Sequence, residues 1–391
     1  MKTKFVLLAF SLFVIGCIST EKKEVLYDDG AIVIDINSAL KSDGLYYFED
    51  MIESVELIPL ETTEASIVGP VSECVVTDNY IFVNDIYDNK GGLAMFDKSG
   101  KFIKRFSRGN GPEELPYVSG MFYSDDNLYV DAYEKIVKFS GNGEYVDNKK
   151  INVNMVEIQK VGDVYLAIQP EYQNLANKFK ILKFDSSMVK MSALNLEPIR
   201  LPFDSKNFSC YDGVNCLICK FADNNIYCYA NDTFKVKYRL DYPDFEYHIP
   251  YEKYKGVRAD DLSFEQDIDE GKYFFSGSIS ECEDYLSMWF RTKGMRAKHV
   301  FYNKKTGKTS LLKYHDRSVI SPLYSTSSDN KVCMSGQKNT FSSVISPAYM
   351  EPNCWENNPN NLFAQEDIEI LKNAKPDDNP IILIYKLKDD L

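Results

Sequence analysis

The sequence is short of positive charge. Across 391 residues, 45 Lys and Arg face 58 Asp and Glu, a formal net charge of −13. A phosphate-backbone binder needs clustered cations to displace counterions, so this balance excludes nucleic acid as a partner. Histidine is scarce: His248, His299 and His315 are the only three, and a three-histidine metal site would have to bring all of them together. Long apolar runs are missing too. The stretch from Phe5 to Ile15 falls well short of the about 20 residues that a membrane-spanning helix needs. With 20 Gly and 15 Pro the chain is neither low-complexity nor collagen-like. What it does have is 44% hydrophobic residues, including 24 Phe and 27 Tyr, enough to bury a sizeable core.

Lys2 and Lys4 precede the apolar run, which ends in Val14-Ile15-Gly16-Cys17. A basic start, a short apolar stretch and a small residue before the cleavage point describe a secretory signal. The Cys directly after Gly16 gives it the form of a bacterial lipoprotein signal. Residues 1–16 are therefore read as the signal peptide, Cys17 as the lipidated residue, and 17–30 as a polar tether. The mature protein is expected in the cell envelope, tethered by acyl chains to the outer membrane and facing the periplasm or the surface, without spanning the bilayer. Length alone suggests about two or three domains, but no second linker divides the chain, so residues 31–391 are read as one domain and the protein as a monomer.

A turn of Asp, Asn or Gly followed by a short alternating apolar run recurs six times: Asp78 to Val83, Asp126 to Val130, Gly162 to Leu166, Asp212 to Leu217, Glu283 to Met288 and Asp329 to Met334. Each run reads as a strand entered from a tight turn. Downstream of each lies a further strand, as in Leu93 to Asp97, Ile136 to Ser140, Lys180 to Phe184, Asn225 to Tyr229, Val300 to Asn303 and Ile381 to Leu387. Counting the strands before and after gives six four-stranded antiparallel units, the arrangement of an all-β, six-bladed β-propeller. A β-sandwich or a two-domain β protein is the alternative. Because the chain ends at the third strand of the sixth unit, its fourth must come from the N-terminus, either Ala31 to Ile36 or Ile52 to Leu60. Such a closure leaves neither sheet edge exposed.

Two insertions break the pattern, at 244–271 and 335–379. The second holds a helix near Leu362 to Lys372, with Asn360 and Asn361 as cap candidates. In antiparallel order, the loops after the second and fourth strands of a blade open on one face. Both insertions are therefore expected to crowd one mouth of the central channel, and loops this long are commonly functional.

With the repeats in place, Val55-Glu56-Leu57-Ile58-Pro59-Leu60-Glu61-Thr62, Phe96 to Phe102, Gly109-Asn110-Gly111-Pro112-Glu113-Glu114, Tyr302 to Lys308 and Asn379 to Leu387 resemble the six-bladed β-propeller lipoprotein family of Bacteroidetes, related to NHL-repeat propellers. Glu113 stands where that family usually has Gly, and Asn303 where it has Asp. The resemblance implies the fold and the envelope location and carries no catalytic residues.

Several residues are candidates for chemistry. Cys216 and Cys219 form a CxxC, but on a strand residues three apart face opposite sides, which argues against a shared metal; no metal or cofactor is expected. Cys219 and Cys228 flank the turn at Asp223-Asn224, and two readings stay open there, a disulfide or two buried thiols. His299 and His315 flank strands of the fifth unit and read as surface residues, while His248 lies in the first insertion. Carboxylates such as Glu113, Glu114, Asp260, Asp261, Glu265, Asp267 and Asp269 read as solvated charge. Ligand-binding candidates on the insertion-bearing face are Arg108 and Asn110 in the Gly-rich loop between two units, and Trp289 and Arg291 at the end of a second strand. Tyr87 and Tyr172 occupy equivalent loops. The expected function is non-enzymatic binding of a glycan, a peptide or an envelope protein at that mouth. The alternative is a polysaccharide lyase or glycoside hydrolase using channel carboxylates or His, which would need two carboxylates opposed across a sugar.

Overall fold

The structure is a computed structural model that describes residues 24–28, 30–42, 46–85, 92–153, 155–170, 179–196, 208–220, 223–241, 273–292, 297–315, 318–320 and 338–389. The insertion at 244–271, Cys17, Tyr87, Tyr172 and His248 lie outside these residues.

The alternating runs form six antiparallel blades, with neighbours in sequence adjacent in each sheet. Blade 1 comprises Val71–Val76, Tyr80–Asp85, Leu93–Asp97 and Phe102–Arg105. Blade 2 comprises Gly120–Ser124, Asn127–Asp131, Lys135–Ser140 and Tyr145–Lys150. Blade 3 runs from Glu157–Val161 to Lys190–Leu196, blade 4 from Phe208–Ser209 to Thr233–Asp241, and blade 5 from Tyr273–Glu281 to Thr309–Lys313. In blade 6, the C-terminal strand Ile381–Leu387 is sandwiched between Thr340–Ile345 and the N-terminal strand Ile52–Pro59.

The apolar residues show that the ring is closed. Six blades in an open arc would share five seams, whereas this chain has six apolar clusters, one between each adjacent pair. The sixth packs Ile58, Leu60, Val344, Ile382 and Ile384 of blade 6 on Val71, Ile81, Val83 and Phe96 of blade 1. Asn379, buried just ahead of the C-terminal strand, fastens this junction. Its side-chain N–H groups donate to the carbonyls of Glu61 (2.7 Å) and Ser66 (3.0 Å), and its Oδ1 accepts the Val68 N–H at 2.8 Å. Gly100, at φ +85°, lets a turn of blade 1 press on the same junction; a Cβ there would fall 2.2 Å from the Pro59 carbonyl oxygen.

Of the two N-terminal segments able to close the ring, Ile52–Pro59 does so. Ile32–Asp35 instead adds in parallel to the outermost strand of blade 4, as does Leu26–Tyr27. Tyr46–Tyr47 adds likewise to blade 5. Residues 24–28, 30–42 and 46–52 thus form a belt around the outer edges of blades 3 to 6. Glu24 donates its N–H to the Ala193 carbonyl (2.9 Å) and pairs with the buried Lys183 at 3.0 Å. The belt plugs three successive seams, with Leu26 and Ala31 between blades 3 and 4, Ile34, Ile36 and Leu40 between 4 and 5, and Phe48, Met51 and Ile52 between 5 and 6. It also covers strand edges that would otherwise be open to pairing.

Two expectations for blade 6 change. The strand beside Ile381–Leu387 is Thr340–Ile345, entered from a turn at Asn339 with φ +54°, and not the run ending at Met334, which lies outside the described residues. Both stretches have an Asn before an alternating run, and the alternation alone cannot rank them. The insertion that follows does not crowd the channel. Its helix, Gln365–Asn373, packs on the outer strand Ile52–Pro59, because Cys354, Phe363 and Leu371 bury themselves with Phe48, Met51 and Ile52. The helix starts at Ala364, whose N–H donates to Asp367 at 3.0 Å, so neither Asn360 nor Asn361 is the cap.

Candidate binding site

Second strands end on one face of the ring, and in blades 1 and 2 they end in carboxylates. Asp85 and Asp131 are both 4% exposed, and each holds a backbone N–H: Gly69 donates to Asp85 at 2.6 Å and Tyr133 to Asp131 at 3.1 Å. Glu73, on the innermost strand of blade 1, accepts the Met121 N–H of blade 2 at 2.8 Å. Burial pushes the Asp131 carboxyl up to about 6, with the nearby charge of Glu73 adding to the rise and hydrogen bonds from Ser119 and the Tyr133 N–H opposing it.

The residue Asp131 holds is unusual. Tyr133 adopts φ +72°, a left-handed conformation uncommon for a side chain of that size, and is 68% exposed. Strained, exposed residues of this kind concentrate at functional sites. Ser119 donates its N–H to the Asp131 carbonyl at 2.9 Å, so Tyr117 and Tyr133 leave the same pair of strands; Tyr117 is also exposed. The Gly-rich loop lies alongside. Glu114 folds back beneath it and accepts the Gly111 N–H at 2.8 Å, and Lys135, two residues beyond Tyr133, donates to the Gly111 carbonyl at 2.5 Å. Gly109, at φ +153°, takes a backbone conformation that favours glycine, and a Cβ there would displace the Glu114 carboxylate, 2.1 Å away. The loop is therefore a fixed turn that leaves Arg108 and Asn110 exposed. Arg108, Asn110, Tyr117 and Tyr133 thus stand exposed on loops that Lys135 and Ser119 tie to one end of blade 2.

Trp289 and Arg291 do not join them. In a ring of six, their blade 5 stands opposite blade 2. Trp289 is half-buried and stacks on His299, with ring centroids 4.0 Å apart and planes within 6°. His299 is itself buried, contrary to its surface reading, because it shares a strand face with Phe301 at the blade 5–6 seam. Its Nε2 lies 2.7 Å from the Ser287 hydroxyl and its Nδ1 contacts the Tyr314 hydroxyl. Burial alone pulls its pKa down to about 3, so the imidazole is neutral. Ser287 and His299 of this Ser–His–Tyr chain are 6% and 5% exposed, while Tyr314 at its end is partly exposed. His315 stacks on Tyr47 of the belt at 3.8 Å.

The cysteines also depart from one of their two readings. Cys210 and Cys216 form the disulfide, while Cys219 and Cys228 are buried thiols. The connection between their strands is longer than the two-residue turn the disulfide would need. Ile218 pairs with Tyr227, which sets Cys228 opposite Leu217 rather than Cys219. Cys216 and Cys219 do face opposite seams, 3–4 and 4–5 respectively. No group of three metal-ligating side chains gathers among the described residues.

A separate cleft of about 150 Å³ opens between blades 2 and 3, lined by Tyr129, Tyr165, Lys138, Asn148 and Met188 among others. Met188 sits at φ +61° in the turn position that Gly100 and Gly143 hold in blades 1 and 2. Sequence reasoning missed both this cleft and the two exposed tyrosines, Tyr117 and Tyr133. A signal for Tyr133 was available, since Asp131-Ala132-Tyr133 repeats the spacing of Asp85-Ile86-Tyr87.

Two solved structures share the arrangement. One is a protein of Bacteroides fragilis described as exported, with TM-score 0.66 and 14% identity, covering 92% of this chain and 99% of that one. The other is a member of the DUF4221 family from Bacteroides vulgatus, with TM-score 0.51 and 10% identity, covering 86% and 97%. At these identities the likeness speaks for the fold. No curated protein matches the sequence. The model of the family described as "Domain of unknown function (DUF4934)" matches residues 31–386, and the chain, a six-bladed β-propeller, belongs to that family.

Proposed function

We propose that this protein is a cell-envelope lipoprotein, anchored through Cys17 to the outer membrane, whose propeller binds a glycan, peptide or envelope protein without chemical turnover. The ligand seats on the patch of Arg108, Asn110, Tyr117 and Tyr133. The observation that carries this reading is Tyr133, strained and exposed on a backbone that a buried carboxylate holds in place. Two tyrosines offer apolar faces with polar tips, Arg108 offers a planar donor and Asn110 both donor and acceptor, a mixture suited to sugars or peptide side chains. The carboxylates beneath are engaged by backbone N–H groups, which suits them to shaping loops rather than to flanking a scissile sugar bond. The sequence likeness to NHL-type lipoprotein propellers and the Gly16-Cys17 junction support the envelope placement.

Glycan and peptide arrays probed with the soluble form lacking residues 1–17 test the site. Binding is expected to fall at least tenfold in Arg108→Ala/Tyr133→Ala and to persist in Trp289→Ala/Arg291→Ala. The opposite pattern would move the site to blade 5. Turnover of an arrayed glycan would replace binding with catalysis.

A further inference from the structure

We infer that the outer rim of blades 3 and 4 rests on the lipid surface, so that the propeller lies on its side with its channel axis along the membrane. This rests on the anchored-lipoprotein reading above. Two independent observations lead to it.

The first is reach. Glu24 is fastened to blade 3 by its N–H to Ala193, by Lys183 and by the Ser192 hydroxyl. Seven residue steps lead from Cys17 to Glu24, and at no more than about 3.6 Å each they span at most about 25 Å. Acyl chains on Cys17 therefore hold the rim of blade 3 within that distance of the bilayer. Of the six rims, that of blade 3 is the one the tether draws toward the membrane.

The second is the character of that rim. Along Leu26–Tyr27 the side chains alternate, so Leu26 enters the blade 3–4 seam while Val25 and Tyr27 point outward. Ile32 and Val33 further along the belt, and Val189 and Met191 on the outer edge of blade 3, are exposed as well. Tyr27 stands in register with Lys235, which is exposed, and Lys190 borders the same surface. Aliphatic side chains with a Tyr and lysines at their edge suit an interface where apolar atoms meet headgroups. Scattered exposed apolar residues need no explanation by themselves, but these lie along the outer edges of blades 3 and 4, where the tether is fastened.

The consequence is functional. The Tyr133 patch, on blade 2, then opens parallel to the membrane, within reach of molecules moving along the envelope surface.

The test uses the full-length protein purified with its acyl chains and reconstituted into phosphatidylethanolamine–phosphatidylglycerol vesicles containing spin-labelled lipids. A fluorophore is attached in Met191→Cys or, as a control, in Tyr349→Cys, which is exposed in the insertion of blade 6. Both variants also carry Cys333→Ser, and the remaining thiols, all among the described residues, are buried and stay unlabelled. Quenching at position 191 is expected to exceed that at 349 at least threefold. Equal or reversed quenching in a protein that incorporates palmitate would overturn the orientation and leave the anchor intact. Loss of the anchor reading shows separately, as no palmitate incorporation in the wild type, and would remove the orientation with it.

Discussion

Replacing Asp131 by Asn should stabilise this fold at neutral pH, an uncommon direction for a change at a buried, hydrogen-bonded residue. The carboxyl ordinarily titrates near 3.8 and is held up to about 6 by burial. At about 1.4 kcal/mol for each tenfold in acidity, keeping it ionised in the folded protein costs about 3 kcal/mol. The folded carboxyl binds its proton more tightly than the unfolded one. Stability therefore falls as pH rises through the window from 3.8 to about 6, and the full penalty stands above it. Asn carries no charge but keeps an oxygen for the Tyr133 N–H, a weaker acceptor by about 1 kcal/mol. The net gain is about 1–2 kcal/mol at pH 7.5, shrinking to nothing or a small loss at pH 4. Urea unfolding of the two proteins at both pH values measures it. Destabilisation at pH 7.5, or the same shift at both pH values, would refute the reasoning. A carboxylate retained at such a cost beneath an exposed, strained Tyr is what a site kept for function would show.

Asn379→Ala should cost about 3 kcal/mol by orphaning the carbonyls of Glu61 and Ser66 and the Val68 N–H, and deleting residues from Ile381 onward should abolish cooperative unfolding, both read by circular dichroism during thermal melts. Cys210→Ser removes the closure of a short loop and should lower stability by about 2 kcal/mol. Alkylation and mass spectrometry of the native protein should find Cys210 joined to Cys216, with Cys219 and Cys228 modified only in denaturant. Met188→Gly should change stability by less than about 1 kcal/mol, because relief of the left-handed backbone offsets lost packing. Met188→Val should cost at least about 1 kcal/mol, since a β-branched residue fits that conformation poorly; parallel melts would separate them.

The ring was legible in the sequence because turn residues followed by period-two alternation are local signals, and a propeller is built from local hairpins. Closure by an N-terminal strand followed from counting strands, but the choice between Ala31 to Ile36 and Ile52 to Leu60 came only with the pairing of Ile52–Pro59 to Ile381–Leu387. The belt was not legible: Leu26, Ile34 and Phe48 fill seams made by residues hundreds of positions away, and parallel addition to a finished edge leaves no periodic mark of its own. The insertion after Ile345 was misplaced for a related reason. Order gives the face a loop leaves from, but its apolar residues decide where it lies, and these turned it outward. His299 could have been read as buried from its two-residue spacing to Phe301. Of the patch, Arg108 and Asn110 came from the Gly-rich loop; the Asp131-Ala132-Tyr133 spacing could have pointed to Tyr133, but its positive φ shows only in the coordinates.

Hydrogen–deuterium exchange of the soluble protein, alone and saturated with the tightest ligand from the arrays, addresses the binding face most directly. Protection is expected at residues 107–119 and 131–135, with the strands of blade 5 unchanged. Protection confined to blade 5, or spread evenly around the ring, would contradict a recognition surface centred on Tyr133.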